Sequence, residues 1–216
     1  MDGAPLRAAV FDFGGVLTGS VGRAVMTWLT RERIAVDGYR TVMSEWVFNR
    51  STGTSPAYRL ETGEMPGPEF ERLLAAKLQL TDGGPVVAAG LLARMFADMT
   101  VDPAMVELVR ALRAAGLRTA MLSNSWANDY PLDLVADIFD VSVISAEVGL
   151  AKPDPAIYQL LLERLALPAE TVAFIDDIEH NVEAAQEVGI VSVVHTDAAT
   201  TRQWFAARVP QLEAQP

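Results

Sequence analysis

Residues 8–15 read AAVFDFGG, an apolar run that meets an acid at Asp12 and closes on two glycines. The run lacks strict apolar–polar alternation, so a strand buried on both faces is expected, entering a tight turn at Gly14-Gly15. Four later stretches share its character: Arg118–Ser123 (RTAMLS), Val141–Ser145 (VSVIS), Thr171–Asp176 (TVAFID) and Val191–His195 (VSVVH). Helical patterns lie between them. Pro103–Ala115 sets Val106, Leu108, Val109 and Leu112 on one side and stops at Gly116. Pro155–Leu165 carries Ile157, Leu160, Leu161 and Leu165, and Asn181–Val188 leads to Gly189. Strands alternating with helices predict a doubly wound α/β sheet whose strands run parallel.

The stretch from Val21 to Met99 has no convincing strand. Val25, Trp28 and Leu29 recur at helical spacing, as do Val42, Trp46 and Val47. The same holds for Phe70, Leu73, Leu74 and Leu78, and for Val87, Leu91, Leu92, Met95 and Phe96. Four or five helices are therefore expected between the first strand and the rest of the sheet. Loop signals at Gly53–Pro56, Gly63–Pro68 and Asp82–Pro85 punctuate them, and Glu213–Pro216 reads as a frayed tail.

Composition removes several functions. Of 216 residues, 17 are Lys or Arg and 28 are Asp or Glu, for a net charge of −11. That field repels phosphate backbones and anionic lipid, so neither nucleic acid nor a membrane surface is an expected partner. The absence of cysteine excludes disulfides, thiolate catalysis and thiolate-bound metals. The two histidines, His180 and His195, are too few for a His-rich metal cage and read as surface and structural residues. The N-terminus lacks the basic start and long apolar region of a signal peptide, and no apolar stretch reaches membrane-spanning length, so a cytoplasmic location is expected.

Polar residues collect where the expected strands end. Asp12 closes the first, Ser123-Asn124 the second and Asp176-Asp177 the fourth, while Lys152-Pro153 follows the third in the loop VGLAKPDP. A parallel sheet would bring these stations to one edge, where ligands bind. Three carboxylates offer hard oxygen ligands suited to Mg²⁺, one of them can act as a nucleophile, and a lysine with a hydroxyl can hold phosphoryl oxygens.

In order and spacing these stations resemble the signature motifs of the haloacid dehalogenase superfamily. FDFGGVL (11–17) resembles the first motif, MLSNS (121–125) the second, GLAKPDPAIY (149–158) the third and FIDDIEHNVEAAQEVG (174–189) the fourth. The inserted helices resemble the family's α-helical C1 cap, and within them LETGEMPGPEFERLL (60–74) resembles a recurring cap motif, Glu-x-Gly ahead of a Phe-containing helix. The resemblance implies a Rossmann-like three-layer core of residues 1–18 and 98–216 and a cap of residues 19–97. Asp176-Asp177 is similar to the phosphatase type, nearest to sugar-1-phosphate phosphatases and the N-terminal phosphatase domain of soluble epoxide hydrolases. It implies Asp12 as nucleophile, Ser123, Asn124 and Asn181 as phosphate-binding residues, and Lys152 as the charge that neutralises phosphate and nucleophile. It further implies Mg²⁺ held by Asp12, the carbonyl of Gly14 and Asp177, with Asp176 beside it. The expected partner is a small phosphorylated metabolite, and the chain is expected as a monomer or a homodimer, a C2 dimer through the cap being one form.

One position departs from the pattern. Most phosphatases of the family carry a second Asp two residues after the nucleophile, to protonate the leaving alcohol; here that residue is Gly14. Such acid help is typically worth about 10²–10⁴-fold. Its loss is expected to restrict the enzyme to good leaving groups, or to protons supplied by water or the cap. It is also the one feature favouring a non-catalytic binding or regulatory protein. A 2-haloacid dehalogenase is the remaining alternative; it needs no metal, and the paired acids at 176–177 argue against it.

Overall fold

The computed structural model describes residues 4–48, 55–127 and 130–212. β1 (Ala8–Phe11) leads into five helices: α1 (Val21–Arg31), α2 (Val36–Met43), α3 (Pro56–Glu61), α4 (Gly67–Lys77) and α5 (Leu91–Met95). There follow α6 (Pro103–Ala114), β2 (Arg118–Ser123), α7 (Leu132–Ile138), β3 (Val141–Ile144), α8 (Ser145–Val148) and α9 (Pro155–Leu165). β4 (Val172–Asp176), α10 (Glu179–Glu187), β5 (Val191–Val194) and α11 (Ala198–Ala206) come next, and a short 3-10 turn at Pro210–Leu212 ends the described residues.

The five strands form one parallel sheet in the order β3-β2-β1-β4-β5. β1 lies at its centre, with Val10 opposite Ala120 of β2 and Phe174 of β4. Side chains alternate across a strand, so β1 serves two cores. Ala9 and Phe11 meet Met105, Leu108 and Leu112 of α6 and Phe205 of α11. Ala8 and Val10 meet Ile157, Tyr158 and Leu161 of α9 with Phe174. Helices on both faces make the three layers of a Rossmann-like sheet, and they explain why the strands lack polar alternation. Local signals set the helix starts: Asp102 and Asp154 accept from the backbone N–H of Ala104 and Ala156, each with proline at the first helical position.

The helices between β1 and α6 gather round a cluster of their own, centred on Trp28, Leu29, Phe70, Leu74, Leu91 and Met95. The chain enters and leaves them side by side: Gly19 donates to the Thr100 carbonyl at 3.0 Å and Asp102 to the Leu17 carbonyl at 2.8 Å.

Three expectations change on this level. The helix expected from Val87 begins only at Leu91; Val87 is 67% exposed. The preceding segment is irregular: Gly90 is left-handed at φ +68°, and the Arg94 guanidinium donates to the carbonyls of Val87 and Ala89. Leu73, expected on the buried face of α4, is 40% exposed. The helix expected from Asn181 starts earlier, at Glu179. Gly53-Thr54 of the expected loop and the tail Glu213–Pro216 lie outside the described residues.

Candidate active site

The C-terminal ends of β1, β2 and β4 carry Asp12, Ser123 and Asp176 to one edge, and the loop after α8 delivers Lys152 there. Asp12 is anchored by its own N–H, which donates to the Ile175 carbonyl at 2.9 Å. The turn beyond it needs Gly15 for two reasons. Its φ is +84°, and a Cβ there would come within 2.7 Å of the Asp177 carboxyl carbon.

Lys152 is the electrostatic centre. It is 2% exposed, and its Nζ lies 2.9 Å from Asp12 Oδ1 and 2.6 Å from Asp176 Oδ2. Burial by itself would lower the lysine's pKa, but Asp12 and Asp176 together reverse that and hold it above its ordinary value, so the ammonium is retained. Burial also pushes Asp12 up to about 7; Lys152 opposes this and Asp176 adds to it. Asp177 is pushed up to about 6, by burial first and then by the charge of Asp176.

Asp12, Asp176 and Asp177 bring one oxygen each to within 4.8 Å of the others. Their places in that group differ. Asp176 is fully engaged: Oδ2 accepts from Lys152 at 2.6 Å, Oδ1 from the Ile178 N–H at 2.8 Å, and both from the Asn181 amide at 3.1 Å. Asp177 Oδ1 is buried with no hydrogen-bond donor on it. A buried carboxylate oxygen without a donor, beside two further carboxylates and a glycine-rich turn, suits a hard divalent cation such as Mg²⁺. The fit is therefore better through Asp177 and Asp12 than through Asp176, whose lone pairs are used.

The other expected residues divide. Ser123, 2% exposed, has its Oγ 3.0 Å from the Tyr130 hydroxyl. Asn124 clamps the lysine loop: Oδ1 accepts from the Lys152 N–H at 2.9 Å and Nδ2 donates to the Lys152 carbonyl at 3.0 Å. Its side chain thus holds Lys152 in place. Asn181, expected to bind phosphate, is instead buried behind Asp176, because its amide is drawn to both oxygens of that carboxylate. At Gly14 a Cβ would lie 3.3 Å from Val21 Cγ2, so the position of the absent acid is bordered by α1. His195 is tied to Thr201 through Nδ1 at 2.8 Å, as a structural residue would be.

Two neighbours of the site were not marked by any strand-end pattern. Tyr130 packs edge-on against Phe13, with ring centroids 4.9 Å apart, and reaches Ser123. It also borders a cleft of about 690 Å³ between α4, α5 and the sheet edge, whose lining includes Phe13, Leu92, Phe96, Met99 and Val101. Glu61, at the end of α3, accepts from Trp126 Nε1 at 2.8 Å. Its only sequence signal was the Glu-x-Gly pattern at 61–63.

Residues 6–189 match the family described as haloacid dehalogenase-like hydrolase. Bifunctional epoxide hydrolase 2 of Mus musculus is 30% identical, over 92% of this chain and 38% of that protein. A sesquiterpene phosphatase of Aspergillus oryzae is 27% identical, over 90% of this chain and 92% of that protein. The chain spans less than two fifths of the length of the mammalian relatives it matches. In fold it is similar to a crystal structure of an enzyme of this family from Bacteroides thetaiotaomicron in complex with magnesium and inorganic phosphate. The TM-score is 0.63 at 22% identity, with 88% of this chain and 94% of that chain covered.

Proposed function

The chain belongs to the haloacid dehalogenase-like hydrolases, and on that footing we propose that it is a Mg²⁺-dependent phosphatase acting on a small phosphate monoester through phospho-Asp12. The observation that carries the proposal is Lys152. An ammonium buried between Asp12 and Asp176 opposes the protonation that burial favours at a nucleophilic carboxylate and supplies positive charge where an incoming phosphoryl group would need it. The relatives support the choice of a phosphate ester, since one matched over nearly its whole length is named a phosphatase.

In this reading an Asp12 oxygen attacks phosphorus in line with the leaving oxygen. The P–O bond to the leaving group breaks as the acyl-phosphate bond forms, and the leaving oxygen takes its proton from water, because Gly14 has none to give. Water then attacks the acyl-phosphate, releasing inorganic phosphate and restoring the Asp12 carboxylate. Ser123 Oγ and Lys152 Nζ hold phosphoryl oxygens, while Asn124 and Asp176 fix the lysine. Asp12, Asp177 and the Gly14 carbonyl are the residues that would hold Mg²⁺, which when bound neutralises phosphoryl charge. Residues 1–18 and 98–216 act as the core and 19–97 as a cap that excludes water. The apolar lining of the cleft beside Phe13 and Tyr130 favours a substrate whose body is apolar.

Phosphate release from aryl, isoprenoid and sugar phosphates, with Mg²⁺ and with EDTA, tests the reading. Release that needs Mg²⁺ and vanishes in Asp12→Asn supports it. Tight Mg²⁺ binding with no release from any substrate favours the non-catalytic binding protein, which Gly14 alone recommends.

A further inference from the structure

Glu61 stands at the end of α3, far in sequence from the strand-end residues, yet it is only 2% exposed. Its carboxylate accepts from two groups of the loop after β2: Trp126 Nε1 at 2.8 Å and Asn124 Nδ2 at 3.3 Å. Its backbone carbonyl accepts from Ser145 Oγ at 2.5 Å, and that oxygen in turn accepts from the Ser125 N–H at 2.8 Å. Two residues on, Gly63 has φ +76°, and a Cβ there would lie 2.5 Å from the Ala146 carbonyl oxygen. The cap thus touches the ends of β2 and β3 through a buried carboxylate and a turn that only glycine permits. The Trp126 ring enters the cap's own aromatic cluster, 5.5 Å from Phe70 and 6.4 Å from Phe96.

Three steps join this contact to the proposed nucleophile. Glu61 holds the Asn124 amide, Asn124 brackets both backbone polar groups of Lys152, and Lys152 Nζ sits on Asp12. We infer that Glu61 is a positioning residue, a latch that couples cap closure to the placement of Lys152. Opening the cap takes away the Glu61 oxygen from Asn124 and frees the loop that carries the lysine. A buried carboxylate is tolerated only while its donors are present, so the latch has a defined closed state rather than a sliding apolar contact. The inference rests on the phosphatase reading only for its kinetic consequence.

Two variants of the full chain test it. Trp126→Phe keeps the ring and removes the donor; Glu61→Gln keeps the shape and removes the charge. Hydrogen exchange without substrate should accelerate about tenfold at 60–66, 123–127 and 145–149 in each, the size expected for loss of a hydrogen bond to a charged group. Exchange in β1 and β4 should stay unchanged, which shows that the fold is intact. With a substrate turned over by the parent chain, each variant should lose about tenfold in kcat/KM, and the double variant less than the two losses combined, because one removes a donor to the carboxylate whose charge the other removes. Additive kinetic losses, or exchange unchanged at 123–127 and 145–149, would overturn the latch. Should the parent chain release no phosphate, the phosphatase reading fails by itself and the exchange measurement still decides the latch.

Discussion

Replacing Lys152 with methionine removes a charge while largely keeping the space filled, since the two side chains are similar in length and the site is 2% exposed. The native ammonium lies 2.9 Å from Asp12 Oδ1 and 2.6 Å from Asp176 Oδ2. Its loss leaves two buried carboxylates without a counter-charge, and taking one partner from a buried ion pair costs about 3–5 kcal/mol. For a chain of this size each kcal/mol is worth about 2–4 °C in Tm, so Tm should fall by about 6–20 °C. The dependence on pH is the sharper test. Asp12 is pushed up to about 7 from 3.8, so the native state holds its proton more tightly than the unfolded chain does. A raised carboxylate pKa means stability that is present at low pH and lost as pH rises from about 4 through about 7. Lys152 opposes that rise; without it Asp12 keeps its proton to higher pH. The deficit of Lys152→Met should therefore be small near about pH 5 and grow toward about pH 8. Urea denaturation followed by circular dichroism, in EDTA, measures it. A variant as stable as the parent at the alkaline end, or a deficit that does not change with pH, refutes the reasoning.

Three further outcomes follow from the same geometry. Gly14→Asp should raise turnover of alkyl phosphates more than of aryl phosphates, because only the poor leaving group needs the acid, worth up to about 10²–10⁴-fold; Val21 Cγ2, 3.3 Å from the new Cβ, must yield slightly, and equal gains on both substrates sink the idea. Gly15→Ala should weaken Mg²⁺ binding at least about tenfold, since the methyl displaces the Asp177 carboxylate and the backbone leaves a left-handed conformation that costs about 1–2 kcal/mol; calorimetry that shows unchanged affinity contradicts this. Mg²⁺ affinity of the parent chain should rise with pH up to about 7, by about tenfold per unit for each proton displaced, because Asp12 and Asp177 must lose protons to bind it; a flat titration would assign the metal to other groups.

What the sequence determined by itself is what depends on neighbours along the chain. A β-branched or apolar run of five or six residues closed by Asp12, Ser123 or Asp176 announces a buried parallel strand, because a segment covered on both faces has no polar side to show. Prolines and acids at 102–103 and 154–155 announce helix starts for equally local reasons. The tertiary structure decided everything that depends on where an amide or a guanidinium finds its partner. Asn181 turned to Asp176, Asn124 to the backbone of Lys152, and Arg94 to carbonyls that a continued helix would have needed. Glu61 shows the limit most clearly. A glutamate before a glycine in a helical insertion carries no sign of Trp126, 65 residues away, and only the packing of the insertion onto the strand ends buries the two together. A polar side chain's role follows from which unsatisfied donor or acceptor burial leaves beside it, and burial is a property of the whole fold.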